Sequence, residues 1–181
     1  MNPLTQRLPS TLVVSEKEYR IITDFRYWLQ INEVIMGHTA DDIGALIEGL
    51  FVDDEPQSTD ADELMHQVGW FLRCGEQMHA QKSKAKETFS YTADADYIIA
   101  AFQEFYGIDL MSVEGLHWWR FNILLNAMSG DSELKERVRF RNIKLSDIKD
   151  SKQRRQIKRI QRMIALPHTP IDDNDIGAAL W

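Results

Sequence analysis

The sequence predicts a mainly α fold, a compact multi-helix domain with a short N-terminal β-hairpin, and three observations carry that reading. Apolar residues recur at helical spacing in most long segments, as in Ile43, Leu46, Ile47, Leu50 and again in Ile98, Ala101, Phe102, Phe105. Those windows open on Thr, Ser or Asp and close on Gly, the punctuation that caps and stops helices. Only residues 11–22 read instead as a pair of short strands.

In chain order, Thr11 to Val14 and Glu18 to Ile22 are predicted strands around the polar turn Ser15-Glu16-Lys17. A lone hairpin is marginal in water, so it should lie against the helices that follow. Thr23 or Asp24 then caps a helix to about Met36, closed by Gly37, with Phe25, Tyr27 and Trp28 on a wide apolar side. The next helix begins after Thr39, with Asp41 and Asp42 in its first turn, and carries the Ile43 to Leu50 stripe. Asp53 to Asp60 is acidic, contains Pro56 and reads as an exposed loop. Thr59 caps a helix that buries Leu64, Val68, Phe71 and Leu72 and stops at Gly75. From Glu76 to Glu87 the chain turns polar and should be its most mobile internal stretch.

Thr92 is the expected cap of a helix from about Ala93 to Tyr106, with Asp94 and Asp96 in the first turn and Gly107 as stop. The following helix is expected after Ser112 and through Met128, with two apolar stripes. Leu116, Trp119, Ile123 and Ala127 form one; Trp118, Phe121, Leu125 and Met128 form the other. A helix apolar around most of its girth should be sandwiched, inside the domain or against another chain. A short helix near Glu133 to Phe140 follows, and Ser146 is expected to cap a last one through about Leu166, with Ile157, Ile160 and Ile164 on its narrow apolar side. Residues 1–166 thus read as a single helical domain, and residues 167–181 as an acidic, flexible tail.

The formal charge of -7 hides an asymmetry. Between Asp131 and Arg162 twelve basic residues face five acidic ones, so that arm is +7 and the remainder -14. Opposed patches on one small protein suit electrostatically steered docking, onto another protein or onto a second copy head to tail. With 181 residues and 44% hydrophobic content the chain can build a real core. No stretch approaches the length of a membrane span, and Met1 to Arg7 lacks the apolar core of a signal peptide, so the protein is expected to stay where it is made. A single cysteine, Cys74, fits a reducing cytoplasm and reads as a small buried hydrophobe.

Candidate chemistry fails on spacing. The five histidines lack a metal-binding pair at i, i+4, Cys74 has no CxxC partner, and Asp94-x-Asp96 continues to Ile98 where a calcium loop needs a third ligand. Phosphate-cradling glycine words and a nucleophile elbow are absent. His117 therefore reads as a packed or hydrogen-bonded histidine and not as a base. No enzyme activity, cofactor, metal or small-molecule substrate is expected.

The words Leu8-Pro9, Tyr19-Arg20-Ile21, Asp24-Phe25-Arg26, Trp28-Leu29, Phe71-Leu72-Arg73-Cys74-Gly75, Asp94-Ala95-Asp96-Tyr97-Ile98, Tyr106-Gly107-Ile108-Asp109-Leu110 and Leu116-His117-Trp118-Trp119-Arg120-Phe121 occur in that order. The order strongly resembles the gene-product-fifteen family of long-tailed bacteriophages and prophages, over Leu8 to about Leu166. The resemblance implies a product of the tail-morphogenesis region, chaperone-like, acting on the tape-measure or tail-tube protein in the bacterial host cytoplasm, with the virion tail as the other location. It brings no catalytic or ligand-binding residues.

Candidate partner-binding residues, taken from the chain itself, are Trp118, Trp119, Phe121 and Leu125 on the aromatic helix and Arg154, Arg155, Lys158 and Arg159 on the basic arm. The bland readings stand beside them: the tryptophans as core, with at most one facing a partner, and the basic arm as a solvated helix face. Two other functions remain open. One is nucleic-acid binding through the arm, which the -14 on the rest of the chain and the lack of a recognition signature oppose. The other is a structural tail subunit.

Overall fold

A computed structural model describes residues 4–37, 42–57, 60–76 and 87–167. Among these are seven α-helices, a 3-10 turn at Leu145–Asp147 and one two-stranded antiparallel hairpin, so the fold is mainly α with a short N-terminal hairpin. Contacts gather the chain into two compact units, Met1–Gln81 with Ser112–Ala127, and Lys82–Met111 with Met128–Trp181.

The first unit opens with β1 (Thr11–Val14) paired to β2 (Lys17–Arg20), with Leu12 opposite Tyr19 and Val14 opposite Lys17. The second strand starts one residue earlier than expected because the turn takes two residues, not three. Ser15 and Glu16 both hold positive φ, 49° and 62°, the geometry whose twist matches a hairpin and which glycine and asparagine usually supply. Here the Ser15 N–H donates to the Glu63 carboxylate at 3.0 Å, a bond that helps hold the unusual turn. Leu12, Val14 and Tyr19 point into the core. Past Arg20 the chain pairs with residues 50–52 through the bridge Ile21 to Phe51, with the Ile22 N–H on the Leu50 carbonyl at 2.9 Å.

Helix α1 (Phe25–Ile35) starts where Asp24 accepts the Arg26 N–H at 2.9 Å, and it buries Phe25, Trp28 and Ile31. Gly37, at φ 74°, closes it. Helix α2 (Ile43–Glu48) is capped by Asp42, which accepts from the Gly44 N–H, while Thr39 and Asp41 lie outside the described residues. Helix α3 (Ala61–Leu72) buries Leu64, Val68 and Phe71 and packs on β1. Its proposed cap Thr59 is likewise outside the described residues, as are residues 77–86 of the polar stretch. The turn after α3 puts Cys74 at φ 55° and Gly75 at φ 81°.

The aromatic helix, α5 (Trp118–Ala127), begins five residues later than a start at Val113 would place it. Gly115 takes φ 65°, and the strand-like stretch that follows is held by the N–H groups of Phe25 and Trp118, which bond Leu116 and Thr23 carbonyls at 2.9 and 2.7 Å. Pairing with Asp24 thus consumes residues that could otherwise have been helical. The sandwich expected of this helix is also only half made. Trp118, Trp119, Phe121 and Leu125 are buried, whereas Ile123 is 47% exposed and Ala127 faces water.

In the second unit, α4 (Ala95–Tyr106) buries Ile98, Ala101 and Phe102 and ends at Gly107 with φ 63°. Phe105, assigned to that stripe from the sequence, is instead surface-exposed. The residue before the helix is Asp94, not Thr92, and its carboxylate is turned away from the helix end into the interior. There it meets Arg141 of α6 (Glu133–Asn142), with bonds of 2.7 and 2.8 Å between two side chains that are almost wholly buried. The same guanidinium donates to the Thr88 and Ile164 carbonyls, so one arginine ties three separated stretches of the unit. Such a fork uses the planar donor geometry that lysine lacks.

Ser132 caps α6 by accepting the Lys135 N–H. Ser146 does not cap the last helix: it sits in the 3-10 turn Leu145–Asp147, and Asp150 caps α7 (Ser151–Met163) through the Gln153 N–H at 2.6 Å. Gln161 then donates to the carbonyls of Phe140 and Ile143 at the end of α6, where the Phe140 carbonyl also takes the Ile143 N–H. Ile157, Ile160 and Ile164 are half-buried, and no residue of α7 is fully enclosed. The acidic tail lies outside the described residues from His168 onward.

Candidate interaction surfaces

The two halves of the sequence-derived candidate set have different environments. Trp118, Trp119, Phe121 and Leu125 are interior residues of the first unit, each at 6% exposure or less. Both indoles are anchored at the end of α3: Trp118 Nε1–H donates to the Leu72 carbonyl and Trp119 Nε1–H to the Phe71 carbonyl, each at 2.9 Å. Phe121 stacks on Phe25 at 4.8 Å between centroids, and Trp28 packs on Phe71 at 4.3 Å. Aromatic area and polar tip are therefore both used internally, so neither tryptophan stands as an exposed anchor.

His117 has a structural task at the start of α5. Its Nε2–H donates to the Pro9 carbonyl at 2.8 Å, and its Nδ1 accepts the Trp119 N–H at 3.0 Å, as a capping side chain does. That arrangement requires the neutral ring. Burial lowers its pKa below the ordinary histidine value, against the smaller opposing pull of the Pro9 carbonyl. Cys74 is half-buried in its left-handed turn, and burial, with the Glu76 carboxylate adding to it, pushes the thiol up to about 12. A thiol so poor in thiolate is chemically quiet.

The basic candidates lie at the surface of α7. Arg155, Lys158, Arg159 and Arg162 follow one another at i, i+3, i+4 and i+7, and with Met163 they line a hollow of about 400 Å³. Met163 is 76% exposed, an apolar knob among cations. Arg154 is not in the lining, and its guanidinium is held on the Ile148 carbonyl, while within the lining Arg155 Nε–H donates to the Ser151 carbonyl at 3.4 Å. Much of the remaining positive charge of the arm is also engaged locally. Arg137 lies over the Tyr97 ring at 3.8 Å while bonding Glu133, and Arg139 pairs with Glu136.

A second surface was not among the candidates. Between α2 and α3 in the first unit lies a groove of about 310 Å³, with Ile43, Ile47, Phe51, Leu64 and Met65 in its lining and the carboxylates of Glu48 and Glu55 beside them. Neighbouring acids have partners: Asp53 pairs with Arg20, Asp54 with Lys17, and Glu63 holds the hairpin turn. Glu48 and Glu55 are exposed and form no ion pair among the described residues. The sequence did carry a trace of the groove. Ile43 and Met65 are apolar residues at the margins of their helices' stripes, and apolar marginal positions on two adjacent helices leave a greasy seam when they are not covered. Apolar walls with carboxylates at the rim suit an apolar side chain flanked by cations.

Among the described residues no group of three or more His, Cys, Asp or Glu side chains is arranged to hold a metal ion, and no helix is long and apolar enough to cross a membrane. A family model described as Bacteriophage Gp15 protein matches residues 4–166. The chain belongs to that family.

No curated protein and no solved structure matches this Gp15-family chain. The matched span contains the groove, the buried aromatic cluster and the whole of α7, and it ends one residue before Pro167. Both surfaces thus belong to the part of the chain that makes it a Gp15 protein.

Proposed function

We propose that this Gp15-family protein is a tail-morphogenesis factor, a chaperone-like and non-catalytic binder that covers apolar segments of the tape-measure or tail-tube protein until they assemble. Membership in a bacteriophage family supports the phage setting. The observation that carries the binding role is the open groove between α2 and α3, where apolar side chains line a depression large enough for a partner's side chains. Met65, 42% exposed at its edge, adds an adaptable, unbranched surface of the kind used to accept more than one shape. Release during assembly requires modest affinity, roughly micromolar or about −8 kcal/mol. The protein then works in the host cytoplasm and is left out of the finished particle.

The test is recovery of the protein from infected cells, with identification of what comes with it, beside mass spectrometry of purified particles. Tail gene products in the first and absence of this chain from the second are expected. Recovery without any tail protein would defeat the reading, and stoichiometric presence in particles would make it a structural subunit.

The row of four cations on α7 favours one other reading, binding of nucleic acid. A gel shift at low and moderate salt separates the two, since phosphate contacts weaken steeply with salt. Duplex binding that persisted at physiological salt would displace the chaperone assignment.

A further inference from the structure

We infer that copies of this protein associate head to tail, with the Met163 knob of α7 from one copy seated in the α2–α3 groove of the next. Self-association through this groove would compete with the tail-protein segments assigned to it above, and it is read on the free protein, so it can fail without that assignment failing. Two features of the same chain complement each other in shape and in sign. Met163 is the most exposed large apolar side chain of α7, and it projects from a face that carries Arg155, Lys158, Arg159 and Arg162. The groove offers apolar walls to receive a thioether side chain, with Glu48 and Glu55 placed at its margin. Both carboxylates line the groove and have no ion-pair partner among the described residues, whereas Asp53 and Asp54 are already matched to Arg20 and Lys17.

Seating the knob brings cations to the carboxylates and removes apolar surface from water in one step, so the electrostatic and hydrophobic contributions have the same sign. Knob and groove are different surfaces, which makes the contact heterologous: each copy retains an unused knob or groove, and the association propagates into rings or open chains. One methionine in a groove of about 310 Å³ is a small contact, well below the area of standard stable interfaces. Association should accordingly be weak, with a Kd of roughly tens of micromolar, and sensitive to salt over the Debye range.

Sedimentation velocity on the full chain, from about 5 to about 500 µM, reads this directly. The weight-average coefficient should climb with concentration at about 50 mM salt and fall back toward the monomer value at about 0.5 M. Two charge-reversed proteins supply the decisive arm, one carrying Glu48→Lys and Glu55→Lys and the other Arg155→Glu and Arg159→Glu. All four positions are at the surface, so both proteins should keep the parent's circular dichroism and melting. The first presents like charges at the contact, and the second, which keeps Lys158 and Arg162, a face without net charge, so each alone should associate far more weakly than the parent. Mixed in equal amounts, the cationic knob of the first protein meets the acidic groove of the second, and association should return. A parent that stays monomeric throughout, reversed proteins that associate as the parent does, or a mixture that stays monomeric would each overturn the inference.

Discussion

Replacing Asp94 by Asn tests the construction of the second unit at its most demanding point. Asp94 is completely buried, and its two oxygens take bonds of 2.7 and 2.8 Å from Arg141, while Oδ2 also accepts the Ser90 N–H at 3.1 Å. Removing one member of such a pair leaves a charge in a poorly solvated site, at a cost of about 3 to 5 kcal/mol. Loss of both charge-assisted bonds at about 1.5 to 3 kcal/mol each would give about 3 to 6 kcal/mol. Asn retains one acceptor, and the Thr88 and Ile164 carbonyls still face the guanidinium, so the expected loss is near the lower bound, about 3 kcal/mol. That is roughly a hundredfold fall in the folded-to-unfolded ratio. Urea unfolding followed by circular dichroism measures it. Asp94→Leu combined with Arg141→Met should recover part of the loss, because no unmatched charge remains. An Asn variant within about 0.5 kcal/mol of the parent, or a double-mutant cycle with no coupling, would refute the account.

Four further outcomes follow from the first unit. His117 has a folded pKa below its unfolded value, so its contribution is complete above about pH 6.5 and is lost as pH falls below it, when the unfolded chain takes up the proton first. The urea midpoint should drop between about pH 6.5 and 5, and a His117→Gln protein should show a smaller drop; equal drops would remove His117 as the cause. Cys74, with its thiol near 12, should alkylate at about pH 8 roughly a thousandfold more slowly in the native protein than in denaturant, and similar rates would contradict its placement. Gly75→Ala should cost about 2 to 3 kcal/mol in thermal or urea unfolding, since a Cβ would sit 2.8 Å from Trp119 Cη2 on a backbone at φ 81°. Trp118→Ala, now a core truncation that also frees the Leu72 carbonyl, should cost about 3 to 5 kcal/mol in the same assays; unchanged stability with weakened partner binding would return Trp118 to the surface.

Local rules read most of the elements from sequence, because the signals were local. Asp24 and Gly37 bracket α1 as expected, the stripe of α4 lies inward through Phe102, and Gly107 ends that helix in the left-handed conformation. Failures came where distant residues intervened. Leu116 and His117 left helical geometry to pair with residues 23–25, and Asp94, expected in the first turn of α4, instead precedes it and bonds an arginine 47 positions away. Neither partner is visible within a helical window. The same reason explains the surfaces. The α7 row of Arg155, Lys158 and Arg159 could be read from one helix, whereas the groove is made jointly by α2, α3 and the residues between them. Trp118 and Trp119 were legible as large buried area, and only the α3 carbonyls that receive their indoles decided between core and anchor.

The division of the chain into interleaved stretches constrains synthesis and dissection alike. Because Ser112–Ala127 completes a unit that begins at the N-terminus, Phe25, Phe71 and the carbonyls ending α3 wait for aromatic partners until the ribosome has extruded residue 127. During that interval the nascent N-terminal stretch displays apolar rings without their cover, an opening for aggregation or for a host folding factor. A stop codon placed after Gln81 would yield a fragment lacking α5, so the first unit is not obtainable as a folded piece by truncation there.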